Sequence, residues 1–148
     1  MTKSERKYFI TINSLVAISG VIYFIFKYFF EQTTDFGVRP HPYTSTFLHI
    51  HILLVPFMLV VFGYLLKSHI VRKLKSNSSK RKKSGVSILA FFIVMSFSGH
   101  LLQIGLDPSI NTWVGYLHVA LAFLWVFFSF FHQRAFTKEH KKGAVASA

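Results

Sequence analysis

Four long apolar blocks, separated by polar segments, dominate the hydrophobic pattern of this 148-residue chain. At a rise of 1.5 Å per residue, each block is long enough to cross a hydrocarbon core of about 30 Å as a helix. The apolar residues do not form the single stripe that is typical of an amphipathic soluble helix. We therefore predict four membrane spans, over residues 8–30, 43–70, 85–106 and 112–133.

The connections between the blocks fit a single transmembrane domain over residues 1–148. The basic segment 72–84 cannot enter lipid, and residues 134–148 form a polar tail. Turn-forming residues around Pro108 reverse the chain between the third and fourth blocks. The expected fold is all-α, an integral membrane four-helix bundle.

The formal net charge of +12 changes this picture by giving it an orientation. Fifteen of the 17 Lys and Arg residues fall on the side shared by the two termini and the segment 72–84, and only Lys27 and Arg39 fall on the other side. The positive-inside rule then places both termini in the cytoplasm. The charge therefore predicts topology and contact with anionic lipid, and we expect no nucleic-acid partner.

The absence of cysteine narrows the possible chemistry. It excludes disulfides, thiolate-bound zinc or iron–sulfur clusters, and haem attached through thioether bonds. Any cofactor of this chain must be held by histidine, by oxygen ligands or by packing.

Histidine is the unusual residue type in the apolar blocks. Six of the eight histidines lie inside the predicted spans or at their ends. An ionisable side chain at membrane depth is costly and indicates a functional site, although a structural hydrogen bond between helices is the simpler alternative for any one of them. The six are His49, His51, His69, His100, His118 and His132.

The spacing of four histidines predicts two levels. His118 and His132 are fourteen residues apart, about 21 Å along a helix and about 40° short of whole turns. His51 and His69 are eighteen residues apart, about 27 Å and five whole turns. Facing imidazoles at two depths of a bundle are what two b-type haems require, whereas zinc needs three or four converging ligands.

The partners of the ligands on span four are predicted separately. His118 is the outer ligand and His132 the inner ligand on that span, and His69 is the inner partner because it lies near the same end. His51 is preferred as the outer partner because it shares a face with His69, with a kink at Pro56 needed to absorb the longer interval. The three candidates for the outer partner, in order, are His51, His49 and His100.

A short internal echo accompanies these histidines. Ser19-Gly20 in span one matches Ser98-Gly99 in span three, and Leu48-His49 in span two matches Leu117-His118 in span four. The echo suggests two related helix pairs. The Ser-Gly pairs either permit close helix approach or make room for a macrocycle.

The segment from Met95 to His132, which contains SFSGHLLQ and WVGYLHVALAFLWVFFSFFH, resembles the last two helices of small prokaryotic cytochrome b proteins. These include the membrane cytochrome subunits of formate dehydrogenases. In that family two histidines with this spacing on one helix each bind a different haem, and they match His118 and His132. The resemblance covers about a third of the chain and implies a bacterial cytoplasmic (inner) membrane protein.

The expected function is electron transfer through two haem b groups, between the quinone pool and a redox partner. The chain is expected to be a subunit of a larger oxidoreductase complex, with a c-type cytochrome or a catalytic subunit as partner, more than a stand-alone enzyme. His100 and Gln103 are candidate quinone contacts, or alternatively residues that cap or bridge helices. The alternative function is a non-redox membrane protein whose histidines relay protons or bind and transport a transition metal.

Overall fold

The computed structural model describes residues 1–35, 37–75 and 82–146, and the side chains within these ranges except those of residues 73, 82–83 and 135–146. The predicted basic segment 72–84 and the tail 134–148 therefore lie partly outside the described residues. The described residues are about 85% helical and form two compact units, each of which contains one helical hairpin.

Hairpin 1 pairs helix α1, Lys3–Phe29, with helix α2, Pro42–Leu65. Helix α1 begins with a capping box, in which the Glu5 amide donates to Thr2 Oγ1 and the Thr2 amide donates to the Glu5 carboxylate. His41 caps helix α2, and Pro42 occupies the first helical position, where its missing N–H has no cost.

A small β-hairpin, which the sequence does not predict, joins these two helices in a structure that is otherwise helical as expected. Strand β1, Gln32–Thr34, pairs with strand β2, Gly37–Arg39, in antiparallel register. Gly37 has a φ of +107°, a conformation that an L side chain rarely adopts, and it accepts a hydrogen bond from Thr34 Oγ1. The sequence predicts only a polar connection before Pro42, because three-residue strands are too short to show alternation.

Helix α2 is followed directly by a π-helical segment, Leu66–Val71, and by the short helix α3, Arg72–Lys75. The sequence predicts an irregularity of this span at Pro56. Helix α2 nevertheless continues through Pro56, and the departure from α-helical geometry lies ten residues later. π-Helical turns are rare and frequently occur at functional sites.

Hairpin 2 pairs helix α4, Lys82–Leu101, with helix α5, Pro108–Ala146. Helix α4 ends five residues before the predicted end of span three, because the chain turns there and Gly105 takes a φ of +72°. Asp107 precedes helix α5 and accepts hydrogen bonds from the amide and hydroxyl of Ser109, which lower the pKa of its carboxyl group. Helix α5 extends beyond the predicted span and through the described part of the polar tail.

Among the residues that the structure describes, four helical segments are long and apolar enough to cross a membrane, which agrees with the number predicted from the sequence. About half of their large apolar side chains are exposed, which is compatible with contact with lipid. The four segments are Lys3–Phe29, Pro42–Val71, Ser84–Leu101 and Pro108–Arg134.

Of the side chains that the structure describes, few apolar ones are buried, and they mark the seam between the helices of each hairpin. Trp125 in helix α5 is only 3% exposed and packs against Phe92 of helix α4, with the ring centroids 5.0 Å apart. The other buried apolar residues are Phe9, Met58, Phe62 and Leu65.

We predict that Trp125→Ala destabilises the protein by about 3–5 kcal/mol, because the lost ring leaves a cavity against Phe92. Trp113 is 74% exposed, and Trp113→Ala is the matched control with an expected change below about 0.5 kcal/mol. Unfolding in detergent, followed by circular dichroism, measures both. Equal losses in the two variants would contradict the assignment of Trp125 to the hairpin seam.

Candidate functional site

The His51 imidazole lies between the helices of hairpin 1, where it is hydrogen-bonded to two oxygen atoms of helix α1. His51 Nδ1 is 3.1 Å from the Val16 carbonyl oxygen and 3.2 Å from Ser19 Oγ. The Ser19 hydroxyl itself donates to the Val16 carbonyl, at 3.0 Å. Ser19 is 5% exposed, so this small polar group is enclosed by the two helices.

His118 occupies the same arrangement in hairpin 2. Its Nδ1 is 3.1 Å from the Met95 carbonyl oxygen and 3.0 Å from Ser98 Oγ, and the Ser98 hydroxyl donates to the same carbonyl at 2.8 Å. Ser98 is 3% exposed. Each of the two hairpins, which differ in sequence, thus holds one imidazole in its own hydrogen-bonded group, and the two groups have the same composition: a carbonyl and a serine hydroxyl.

These contacts determine which ring nitrogen carries the proton. A backbone carbonyl can only accept, so Nδ1 of His51 and Nδ1 of His118 must donate. In a neutral imidazole the lone pair is then on Nε2. A carbonyl-bound Nδ1–H with an Nε2 lone pair is the form in which proteins present histidine to a metal.

A glycine makes room for each of these rings. A Cβ atom added at Gly20 would lie 3.0 Å from His51 Cε1, and a Cβ atom added at Gly99 would lie 3.0 Å from His118 Cε1. The Ser-Gly pairs of the sequence echo therefore admit an imidazole from the neighbouring helix.

The second level of histidines lies near the opposite end of each hairpin. His132 Nδ1 is 3.2 Å from Ser84 Oγ in hairpin 2, and His69 Nδ1 is 3.3 Å from the Met1 nitrogen in hairpin 1. Because that nitrogen donates, His69 Nδ1 accepts in this contact, unlike the Nδ1 atoms of His51 and His118. When Nδ1 accepts, the proton of the neutral imidazole is on Nε2. Coordination of a metal by His69 Nε2 therefore requires Nε2 to lose its proton.

The cross-helix register explains the unequal histidine intervals. In hairpin 1, His69 follows His51 by eighteen residues, and Met1 precedes Ser19 by the same number. In hairpin 2 both intervals are fourteen, from His118 to His132 and from Ser98 back to Ser84. Within each hairpin, the same number of residues separates the two levels on both helices. The interval in hairpin 1 is longer than that in hairpin 2 by about one helical turn.

The two alternate ligands of the sequence analysis lie elsewhere. His49 and His100 are both exposed, whereas His51, His69, His118 and His132 are all half-buried. His100 Nδ1 donates to the Ser96 carbonyl of its own helix at 2.9 Å. Gln103 is also exposed, and its amide donates to the Gly99 carbonyl at 3.3 Å. Both side chains thus bond to carbonyls near the end of helix α4, as expected of the alternative in which they cap a helix.

The Ser-Gly echo marks both groups, whereas the Leu-His echo indicates a different histidine in hairpin 1. The Leu-His echo matched His49 with His118, whereas His51 is the residue that makes the contacts of His118. The roles of the Val16 and Met95 carbonyls were missed, because backbone groups leave no signal in a sequence. The three-residue spacing from each carbonyl to its serine follows from ordinary helix geometry.

No family model matches the chain, and no curated protein or solved structure is significantly similar to it. Among the residues that the structure describes, no three His, Asp or Glu side chains lie together as a metal-binding group.

We predict that Gly99→Ala destabilises the protein by about 1–3 kcal/mol, because the added methyl group meets a ring that two hydrogen bonds hold in place. Gly85 in the same helix has no atom within 4 Å of an added Cβ. Gly85→Ala is therefore the control and should stabilise helix α4 by up to about 1 kcal/mol. Unfolding curves with the same sign of change would contradict the role given to Gly99.

Proposed function

We propose that the chain is a membrane b-type cytochrome that carries electrons through two bis-histidine haems, as a subunit of a larger oxidoreductase complex. The observation that carries this proposal is the repeated group at His51 and His118. Each ring is fixed through Nδ1 by a carbonyl and a buried serine, which leaves Nε2 as the nitrogen with the lone pair.

The donor set fits haem iron better than other metals. Haem needs only two axial nitrogen ligands, because the porphyrin supplies the other four. Zinc sites take three or four protein ligands, usually with carboxylate or thiolate groups. Of the five acidic residues of the chain, none lies in the apolar stretch around His51 or His118.

In this proposal His51 and His118 are the axial ligands of an outer haem, and His69 and His132 are those of an inner haem. The burial of the four rings supports the choice over His49 and His100. The cross-helix register supports it too, since each hairpin presents one ring at each level. The inner pair rests on register and burial alone, without the carbonyl contacts of the outer pair.

The bound haem groups supply one-electron chemistry, and the protein supplies orientation and electrostatics. Ser19 and Ser98, with the carbonyls that they share, fix ring rotation and proton position at His51 and His118. A hydrogen bond from Nδ1–H to an acceptor also makes Nε2 more basic. Gly20 and Gly99 let each ring approach the neighbouring helix closely.

The proposed setting is a bacterial inner membrane, with both termini in the cytoplasm and with quinone and other redox subunits as partners. The four long apolar helices and the asymmetric charge support the membrane assignment and the orientation, respectively.

We predict two haem b groups per chain, and the loss of one in each of His118→Ala and His132→Ala. The matched control is His49→Ala, which removes an exposed imidazole and should retain both groups. A pyridine haemochrome assay gives the stoichiometry, and electron paramagnetic resonance identifies the remaining low-spin centre. A colourless protein after expression with excess haem would refute the proposed function and favour the proton-relay or metal-binding alternative.

The serines give a finer prediction. Ser98→Ala should retain the outer haem, because the Met95 carbonyl still accepts from Nδ1, and should shift its reduction potential, because one of the two acceptors is lost. The control is Ser96→Ala in the same helix, which removes a hydroxyl outside this group. Potentiometric titration measures both, and an unchanged outer potential in Ser98→Ala would contradict the role of this serine.

A further inference from the structure

An aromatic cluster surrounds His41 where the β-hairpin meets helix α2. Phe26 belongs to helix α1, Phe30 follows the last residue of that helix, and Phe47 belongs to helix α2. The His41 ring centroid lies 4.9 Å from that of Phe26, 5.3 Å from that of Tyr43 and 6.4 Å from that of Phe30. Phe26 is also stacked on Phe47, with centroids 5.4 Å apart and ring planes within 11°.

The helix cap fixes the proton of His41. Its Nδ1 lies 3.2 Å from the Tyr43 amide nitrogen, and an amide can only donate, so Nδ1 accepts. In the neutral ring the proton is therefore on Nε2. His41 thus holds a hydrogen-bond donor among aromatic rings, the opposite of the Nε2 lone pair of His51.

The exposure of the cluster leaves it open to a ligand from the membrane. Phe30 is 51% exposed and Tyr43 is 58% exposed, while His41 is half-buried. Under the positive-inside orientation this end of hairpin 1 lies at the outer surface of the bilayer. A lipid-soluble molecule with a planar polar head would meet stacking surfaces, an imidazole N–H and a phenol at this depth.

We propose that the cluster of Phe26, Phe30, His41, Tyr43 and Phe47 binds the head group of an oxidised quinone, whose carbonyl oxygen accepts from His41 Nε2–H. The inference rests on the proposed function, which needs a lipid-soluble electron carrier. Planar rings are held by offset stacking on aromatic side chains, and a carbonyl oxygen complements a donor that has no lone pair to offer. Quinone binding is thereby moved from His100 and Gln103, whose side chains bond to their own helix.

Photolabelling of the full-length protein in nanodiscs with an azidoquinone tests this site. After irradiation, mass spectrometry of the peptides locates the label, and competition with a short-chain quinone gives the affinity. The key variant is His41→Asp, because Asp is a good helix N-cap that keeps helix α2 intact and its carboxylate has no hydrogen-bond donor. The control variants are His49→Ala and His100→Ala, which alter exposed histidines outside the cluster.

We expect label in the peptides that span residues 26–47, and an affinity about fivefold weaker in His41→Asp, the effect of one lost neutral hydrogen bond. Phe47→Leu should also weaken binding, because it removes the ring that is stacked on Phe26. Label confined to residues 96–106, or labelling that His41→Asp leaves unchanged, would overturn the site. Haem content is measured on the same samples, so labelling at residues 26–47 of a haem-free protein would support the site while refuting the cytochrome function.

Discussion

An imidazole enclosed between two apolar helices must find its hydrogen-bond partners within the protein, because apolar side chains offer none. In this chain the partner is the oxygen of a backbone carbonyl that is already part of a helix, reinforced by the serine three residues later. The solution is used twice, at His51 and at His118. It satisfies one ring nitrogen completely and leaves the other with its lone pair, which is the chemical basis of the proposed axial ligation.

Much of the local structure of each hairpin follows from this one contact. The ring can reach the carbonyl of the neighbouring helix only where a side chain is missing, which is why Gly20 and Gly99 lie beside the rings. The contact also fixes the register of the two helices. Seven residues after each of these histidines lies a large buried side chain, Met58 in hairpin 1 and Trp125 in hairpin 2. The next seven residues lead to His132 in hairpin 2 but to the buried Leu65 in hairpin 1.

The inner level of hairpin 1 therefore lies one turn further along the helix. His69 is four residues beyond Leu65 and within the π-helical segment Leu66–Val71. A π-helical turn advances fewer degrees per residue than an α-helical turn, so it rotates His69 relative to the face that the sequence interval alone predicts. The two hairpins are thus alike around His51 and His118. They differ between these histidines and the second level, where hairpin 1 has a longer interval and a different helical rotation.

The sequence by itself determined the number of helices in the described part of the chain that are long and apolar enough to cross a membrane, because length and hydropathy suffice for that count. It also singled out the Ser-Gly pairs and the histidines of the half-buried set, since polar residues in apolar blocks are conspicuous. It did not determine which residues meet across a hairpin. The match of His51 with His118, the Nδ1 proton, the β-hairpin and the π-helical segment were decided by the tertiary structure. The reason is that cross-helix register and backbone hydrogen bonds depend on how two helices pack, and neither the carbonyl of Val16 nor that of Met95 is visible in the identity of a side chain.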